Sequence, residues 1–245
     1  MEAFFRGDAD IHYADDGDGD PVVLVHGFAS SFGINWKNTG WFDFFRSLGR
    51  RVVALDLRGH GKSSKFHNPG AYHPERMGQD ILELMDHLGL ETADLVGYSM
   101  GAWQSMYLLA DAPDRFRRGV LGGVGDKFLA ETGRWEKIAR AMITPEPKAI
   151  TDTTLRMIRD FAEHTKSDLR ALAACSRGFH QGLPPFREIP HPVLIVGGEK
   201  DDFVGAPNRI GSEIPRAAIR MMSDRDHLTL LTDGRFKRAV GKFLI

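Results

Sequence analysis

The sequence predicts an α/β fold: a mostly parallel, doubly wound sheet with a helical cap insertion. Three features carry that expectation. Short, nearly continuous apolar runs recur along the chain, and the segments between several of them have helical periodicity. One connection, residues 126–190, is far longer than a simple crossover helix needs. The 245 residues, 42% hydrophobic and 27% charged, suffice for one sizeable buried core.

Phe4, Phe5, Ile11 and Tyr13 stand among polar residues and fit an opening antiparallel hairpin. Six apolar runs follow: PVVLVH from Pro21, RVVALDL from Arg51, TADLVGYS from Thr92, RRGVLGGV from Arg117, HPVLIVGG from His191 and AAIRMM from Ala217. Runs of Val, Ile and Leu of this length suit strands covered on both faces. PERMGQDILELMDHLG sets Met77, Ile81, Leu84, Met85 and Leu88 on one helical stripe, with Gly89 placed to stop it. MGAWQSMYLLADAP reads as a helix ending near Pro113. Within the long connection, helical spacing recurs at Trp135, Ile138 and Met142, at Leu155, Ile158 and Phe161, and at Leu169, Leu172 and Ala173. The expected organisation is a core of residues 1–125 and 191–245 interrupted by a cap over 126–190.

Charge narrows the partners. Lys and Arg number 32 against 33 Asp and Glu, so no field of either sign favours nucleic acid or an anionic membrane. The opening MEAFFRGDAD lacks an apolar signal region and no run of 18 apolar residues occurs, so a soluble, cytoplasmic protein is expected. The single cysteine, Cys175, has no partner for a disulfide and reads as a small buried hydrophobe.

Three motif-like features fail on chemistry. RGHGKSS at 58–64 ends like a phosphate-binding loop, but Asp56 stands where that loop needs a glycine to expose its backbone N–H groups. DGDGDP at 16–21 begins like a calcium loop, yet Pro21 and Gly27 occupy the turn-glycine and closing-glutamate positions. The ten histidines include no metal-ligand spacing, so neither metal nor cofactor is expected.

GYSMG at 97–101 is different. It follows the apolar run ADLV and opens a helix, the setting in which a serine on a sharp turn becomes an exposed nucleophile. Side chains at 97 and 101 would collide with the neighbouring strand and helix. A serine hydroxyl needs a base. His227, beyond the last apolar run, would project from the same sheet edge. Asp201, or its neighbour Asp202, lies just past the preceding strand and is placed to orient that imidazole, with Asp201 preferred; Asp126 is a weaker third candidate. The N–H of Met100 and that of Phe28, in the turn after PVVLVHG, would form an oxyanion hole. His26 and Gly27 shape that turn, and His26 is structural rather than basic.

With serine, acid and histidine in this order on an alternating pattern, the sequence resembles the α/β-hydrolase fold family along nearly its whole length. VVLVHGF, VVALDLRGHGKS, LVGYSMG, PVLIVGGEKD and the Asp226-His227 pair carry the resemblance. It implies that DLRGHGKS is a structural turn, that the acid falls at Gly-x-x-Asp from Gly198 to Asp201, and that the insertion is a lid. A serine at 99 argues against the epoxide hydrolase and dehalogenase relatives, which use aspartate there. The expected function is a serine carboxylesterase acting with water on small to medium, largely apolar esters. Trp135, Met142, Met157, Phe161 and Phe179 are candidate pocket walls. Lactone, thioester or carbon–carbon bond hydrolysis and perhydrolysis use nearly the same residues, and a small-molecule receptor is the alternative outside catalysis.

Overall fold

The computed structural model describes residues 1–130, 133–179 and 182–245. Eight strands form one sheet: β1 (Glu2–Arg6), β2 (Asp10–Asp16), β3 (Pro21–Val25), β4 (Arg51–Leu55), β5 (Ala93–Tyr98), β6 (Phe116–Gly122), β7 (Val193–Gly198) and β8 (Ala217–Met222). Their order is β1-β2-β4-β3-β5-β6-β7-β8. The opening hairpin β1–β2 pairs antiparallel and joins β4 antiparallel, and every remaining pair is parallel.

Alternation along the central strands divides the core in two. Val23, Val25, Val53 and Leu55 face a cluster that includes Met77, Ile81 and Leu84 of α2 (Pro74–His87) and Met106 and Leu109 of α3 (Met100–Asp111). Val22, Leu24, Val52 and Ala54 face the opposite cluster, closed by Trp41 and Phe45 of α1 (Trp41–Ser47) and Phe236, Val240 and Leu244 of α9 (Gly234–Leu244). Helices therefore cover both faces, which is why β3 to β5 read as unbroken apolar runs. The four-residue spacing of Phe236, Val240 and Leu244 is the signal for α9, and Asp233 starts that helix by accepting the Arg235 N–H.

Between β6 and β7 lie α4 (Lys127–Ala130), α5 (Arg134–Ile143), α6 (Thr153–His164) and α7 (Leu169–Phe179). Residues 131, 132, 180 and 181 of the expected cap lie outside the described residues. Ala139 and Met142 of α5, Ala162 of α6 and Leu172 of α7 share a small apolar cluster of their own. Trp135, Ile138, Cys175 and Phe179 instead join the core on the α2–α3 face. Cys175 is fully buried, its Sγ 4.0 Å from Met100 Sδ, and burial pushes its thiol pKa far up.

The turn after β4 shows why Asp56 stands where a phosphate loop needs glycine. Its carboxylate is buried and accepts from His12 Nδ1, the Phe32 N–H and the Lys62 N–H, each at 2.9 Å. It binds the loop after β3 to β2 and to the DLRGHGKS turn. Gly61, at φ +48°, is needed there because a Cβ would fall 2.1 Å from Asp56 Oδ2. Among the described residues no helix is long and apolar enough to cross a membrane.

Candidate active site

Strand β5 ends at Tyr98 and α3 begins at Met100, leaving Ser99 alone to make the turn. Its backbone sits at φ +54°, ψ −120°, a strained setting for any residue with a Cβ. Both flanking glycines have a steric cause. A Cβ on Gly97 would lie 2.4 Å from the Gly101 carbonyl oxygen and 2.5 Å from Ser105 Oγ, and one on Gly101 would lie 2.1 Å from the Val25 carbonyl oxygen. Helix α3 therefore starts close against β3. The Ser99 N–H donates to the Gly122 carbonyl at 2.8 Å, which fixes the turn on β6.

His227 Nε2 lies 3.0 Å from Ser99 Oγ, and Nδ1 lies 2.8 Å from Asp201 Oδ2. With Nδ1–H donating to the carboxylate, Nε2 is free to accept the serine proton. Asp201 is buried, and its other oxygen accepts the Val204 N–H at 3.2 Å. Asp202 is exposed and offers its backbone carbonyl, not its carboxylate, to Lys127. Asp126 is engaged elsewhere: its carboxylate accepts the Arg209 and Ile210 N–H groups at the start of α8 (Asn208–Glu213), at 2.8 and 3.1 Å. Of the three aspartates weighed, Asp201 meets the histidine.

The loops carrying the acid and the histidine are joined directly. The Lys200 N–H donates to the Arg225 carbonyl at 2.9 Å, and a Cβ on Gly198 would sit 2.2 Å from that same oxygen. The glycine of the Gly-x-x-Asp segment thus lets the histidine loop approach. Sequence reasoning missed Tyr98 and Phe203. The Tyr98 hydroxyl donates to the His227 carbonyl at 2.6 Å, and the Phe203 ring stands edge-on to the imidazole with centroids 4.8 Å apart. Burial, then the Asp201 charge, raises the Tyr98 pKa well above its ordinary value, so its hydroxyl remains a donor across the working pH range. No spacing rule marks Tyr98, because the first variable position of Gly-x-Ser-x-Gly accepts any side chain.

The turn after β3 faces Ser99. His26 is fully buried, with Nδ1–H donating to the Gly27 carbonyl at 2.7 Å and Nε2 accepting the Leu57 N–H at 3.0 Å. Both ring nitrogens are used and burial lowers the pKa, so His26 is a neutral strut. The Gly27 N–H donates to Asn35 Oδ1 at 2.7 Å, a contact that no sequence pattern announces. The N–H groups of Phe28 and Met100 have no hydrogen-bond partner among the described residues, and both residues border the same pocket as Ser99.

That pocket encloses about 120 Å³. Its walls include Phe28, Trp103, Phe128, Trp135, Met157 and Phe161, while Ser30, Asn35, Tyr98, Ser99 and His227 supply its polar side chains. No Lys, Arg, Asp or Glu lines it among the described residues. Of the five cap residues expected as walls, Trp135, Met157 and Phe161 are there. Met142 is buried in the small cluster shared by α5, α6 and α7, and Phe179 packs on the Trp135 and Tyr107 rings. Helical spacing could not separate them, because a residue facing the pocket and one facing a neighbouring helix share the same stripe.

Fold and site together define the class. The profile of the alpha/beta hydrolase fold family matches residues 20–159, and the chain belongs to that family. A dihydrolipoyllysine-residue acetyltransferase component of the acetoin cleaving system, from Pseudomonas putida, is 29% identical over 228 residues; the match covers 86% of this chain and 59% of that protein. The chain thus spans about three fifths of that relative. A 2-hydroxymuconate semialdehyde hydrolase from Pseudomonas putida is 28% identical over 262 residues, covering 94% of this chain and 89% of the relative. Among solved structures, a bromoperoxidase from Bacillus anthracis superposes with a TM-score of 0.80 at 22% identity over 100% of this chain and 99% of its own, a likeness of fold.

Proposed function

We propose that the protein is a serine hydrolase that cleaves small to medium, uncharged, largely apolar carboxylic esters through an acyl-enzyme, with residues 126–190 as the cap over the pocket. The observation that carries this reading is the continuous relay from Ser99 through His227 to buried Asp201, opening into an apolar pocket. Ser99 Oγ attacks the ester carbonyl carbon while its proton passes to His227 Nε2. Electrons of the carbonyl double bond move to oxygen, which the Phe28 and Met100 N–H groups receive; one such donor contributes about 3 kcal/mol. Asp201 holds the imidazole in place and stabilises its cation. The imidazolium then protonates the departing alkoxide, and water activated by the same base releases the acid.

The semialdehyde hydrolase relative is named for a substrate that bears a carboxylate. The absence of a cationic side chain among the pocket's described lining residues favours a neutral acyl compound here, because an unpaired carboxylate in such surroundings carries a large desolvation penalty. Neutral lactones and thioesters share that chemistry. The test is hydrolysis of p-nitrophenyl butyrate by the wild type and by Ser99→Ala. The variant should lose about a million-fold in kcat. Turnover near the wild-type rate in Ser99→Ala would sink the mechanism.

A further inference from the structure

The loop after β3 does not stop at the catalytic face; it enters the cap. Ala29 is fully buried in the same small apolar cluster as Ala139, Ala162 and Leu172 of α5, α6 and α7. Its φ of +57° is left-handed, a conformation costing a residue with a Cβ about 1–2 kcal/mol and kept only where the surroundings enforce it. Its carbonyl is met by the segment that follows α6, where the Thr165 hydroxyl is shared with the Ala162 carbonyl at 3.0 Å. Thr165 Oγ1 lies 3.1 Å from the Ala29 carbonyl oxygen, and Ser167 Oγ lies 2.9 Å from Thr165 Oγ1 and 3.5 Å from the same carbonyl. Both hydroxyls are presented by the turn that closes α6, where Lys166 takes φ +55° and the Ser167 N–H returns to the Ala162 carbonyl at 2.9 Å.

The other side of the loop is held by the core. Gly27 is tied to Asn35, and its Cβ position is 3.2 Å from Ser99 Cβ, so the backbone there has little room to shift. The Phe28 ring stands edge-on to Trp135 of α5 at 6.4 Å and to His60 at 5.8 Å. The peptide that carries the Phe28 N–H is therefore clamped between the catalytic floor and the cap.

We infer that Thr165 and Ser167 are positioning residues for the oxyanion hole, so that seating of the cap and alignment of the Phe28 N–H are a single event. The inference rests on the reading of Phe28 as an oxyanion donor. It makes the cap part of the transition-state machinery as well as a wall of the pocket. A misplacement of this donor by about 1 Å weakens stabilisation of the tetrahedral intermediate while leaving ground-state binding nearly intact.

The experiment compares Thr165→Val, Thr165→Ser and Ser167→Ala with the wild type on p-nitrophenyl butyrate, alongside the affinity of an alkyl trifluoromethyl ketone and the melting temperature. The ketone forms a hemiketal with Ser99 whose oxyanion requires the hole. Thr165→Val should lower kcat on the order of 10- to 100-fold with KM within about twofold, and should weaken the ketone by a similar factor. Thr165→Ser, which keeps the hydroxyl, should stay within about threefold of the wild type, as a packing role for the methyl group would not allow. Ser167→Ala should fall between them. Unchanged kcat and ketone affinity in folded Thr165→Val would overturn the positioning role, as would a loss in Thr165→Ser equal to that in Thr165→Val. A wild type that neither hydrolyses the ester nor reacts at Ser99 with a fluorophosphonate would instead overturn the serine-hydrolase reading, and this inference with it.

Discussion

If the substrate is the proposed ester, the pocket sets a length for its acyl group. An apolar cavity of about 150 Å³ accommodates benzene, so the 120 Å³ beside Ser99 holds about five non-hydrogen atoms. Each methylene buried there should contribute about 0.8 kcal/mol, or roughly fourfold in kcat/KM. Along a series of p-nitrophenyl esters, two added methylenes from acetate to butyrate should raise kcat/KM by about 15-fold. The gain should flatten near hexanoate, because further carbons outrun the cavity and meet its exposed lining residues Met157 and Leu228. Octanoate should therefore match hexanoate within about threefold, and Met157→Ala should alter the long esters more than acetate. Stopped assays with the leaving group held constant measure the slope directly. A rise that continues at fourfold per methylene through octanoate would refute the volume argument, as would a preference for palmitate.

Three other outcomes are expected. Asp201→Asn should reduce kcat about 10⁴-fold while Asp202→Asn stays within about twofold, and the reverse order in steady-state kinetics would reassign the acid. Gly101→Ala should destabilise the fold by about 3 kcal/mol, since the new Cβ meets backbone oxygens that cannot rotate away; an unchanged urea midpoint would show that α3 can retreat from β3. His60 is fully buried and its pKa is lowered to about 3 by desolvation and then by the neighbouring His26, whereas the unfolded chain titrates near 6.5. Between those values the unfolded state binds the extra proton, so stability falls with falling pH, by about 2 kcal/mol at pH 5 from this residue. Urea unfolding of His60→Asn should lose that share of the pH dependence, and an equal slope in variant and wild type would show that His60 is protonated in the fold.

Much of the site was legible because the chemistry leaves local marks. Gly97 and Gly101 are forced by backbone atoms within 2.6 Å of any Cβ, and such constraints appear as a motif. Strands β3 to β7 were readable because both faces are covered. Asp201 and Asp202 were harder to separate, since they are neighbours in a loop after β7 and only its folded path brings the Asp201 carboxylate to His227. Asn35, Tyr98 and Thr165 left no mark, because each acts on a backbone atom contributed by a distant segment. Helix α1 was equally obscure: it begins after Gly40 at φ +76°, and its aromatic run Trp41, Phe42, Phe44 and Phe45 lacks a clear helical stripe.

The histidine hangs from one rim of the sheet. Strand β8 pairs with β7 alone, and three of its six residues are exposed, yet the loop that follows it delivers His227 to a serine anchored between β5 and β6. On the proposed mechanism, fraying of this rim strand would separate proton acceptor from nucleophile while costing the core only the edge packing of Ala217 and Met222. The rim would then act as a fuse: under the proposed mechanism, turnover should be lost on warming before the central strands unfold.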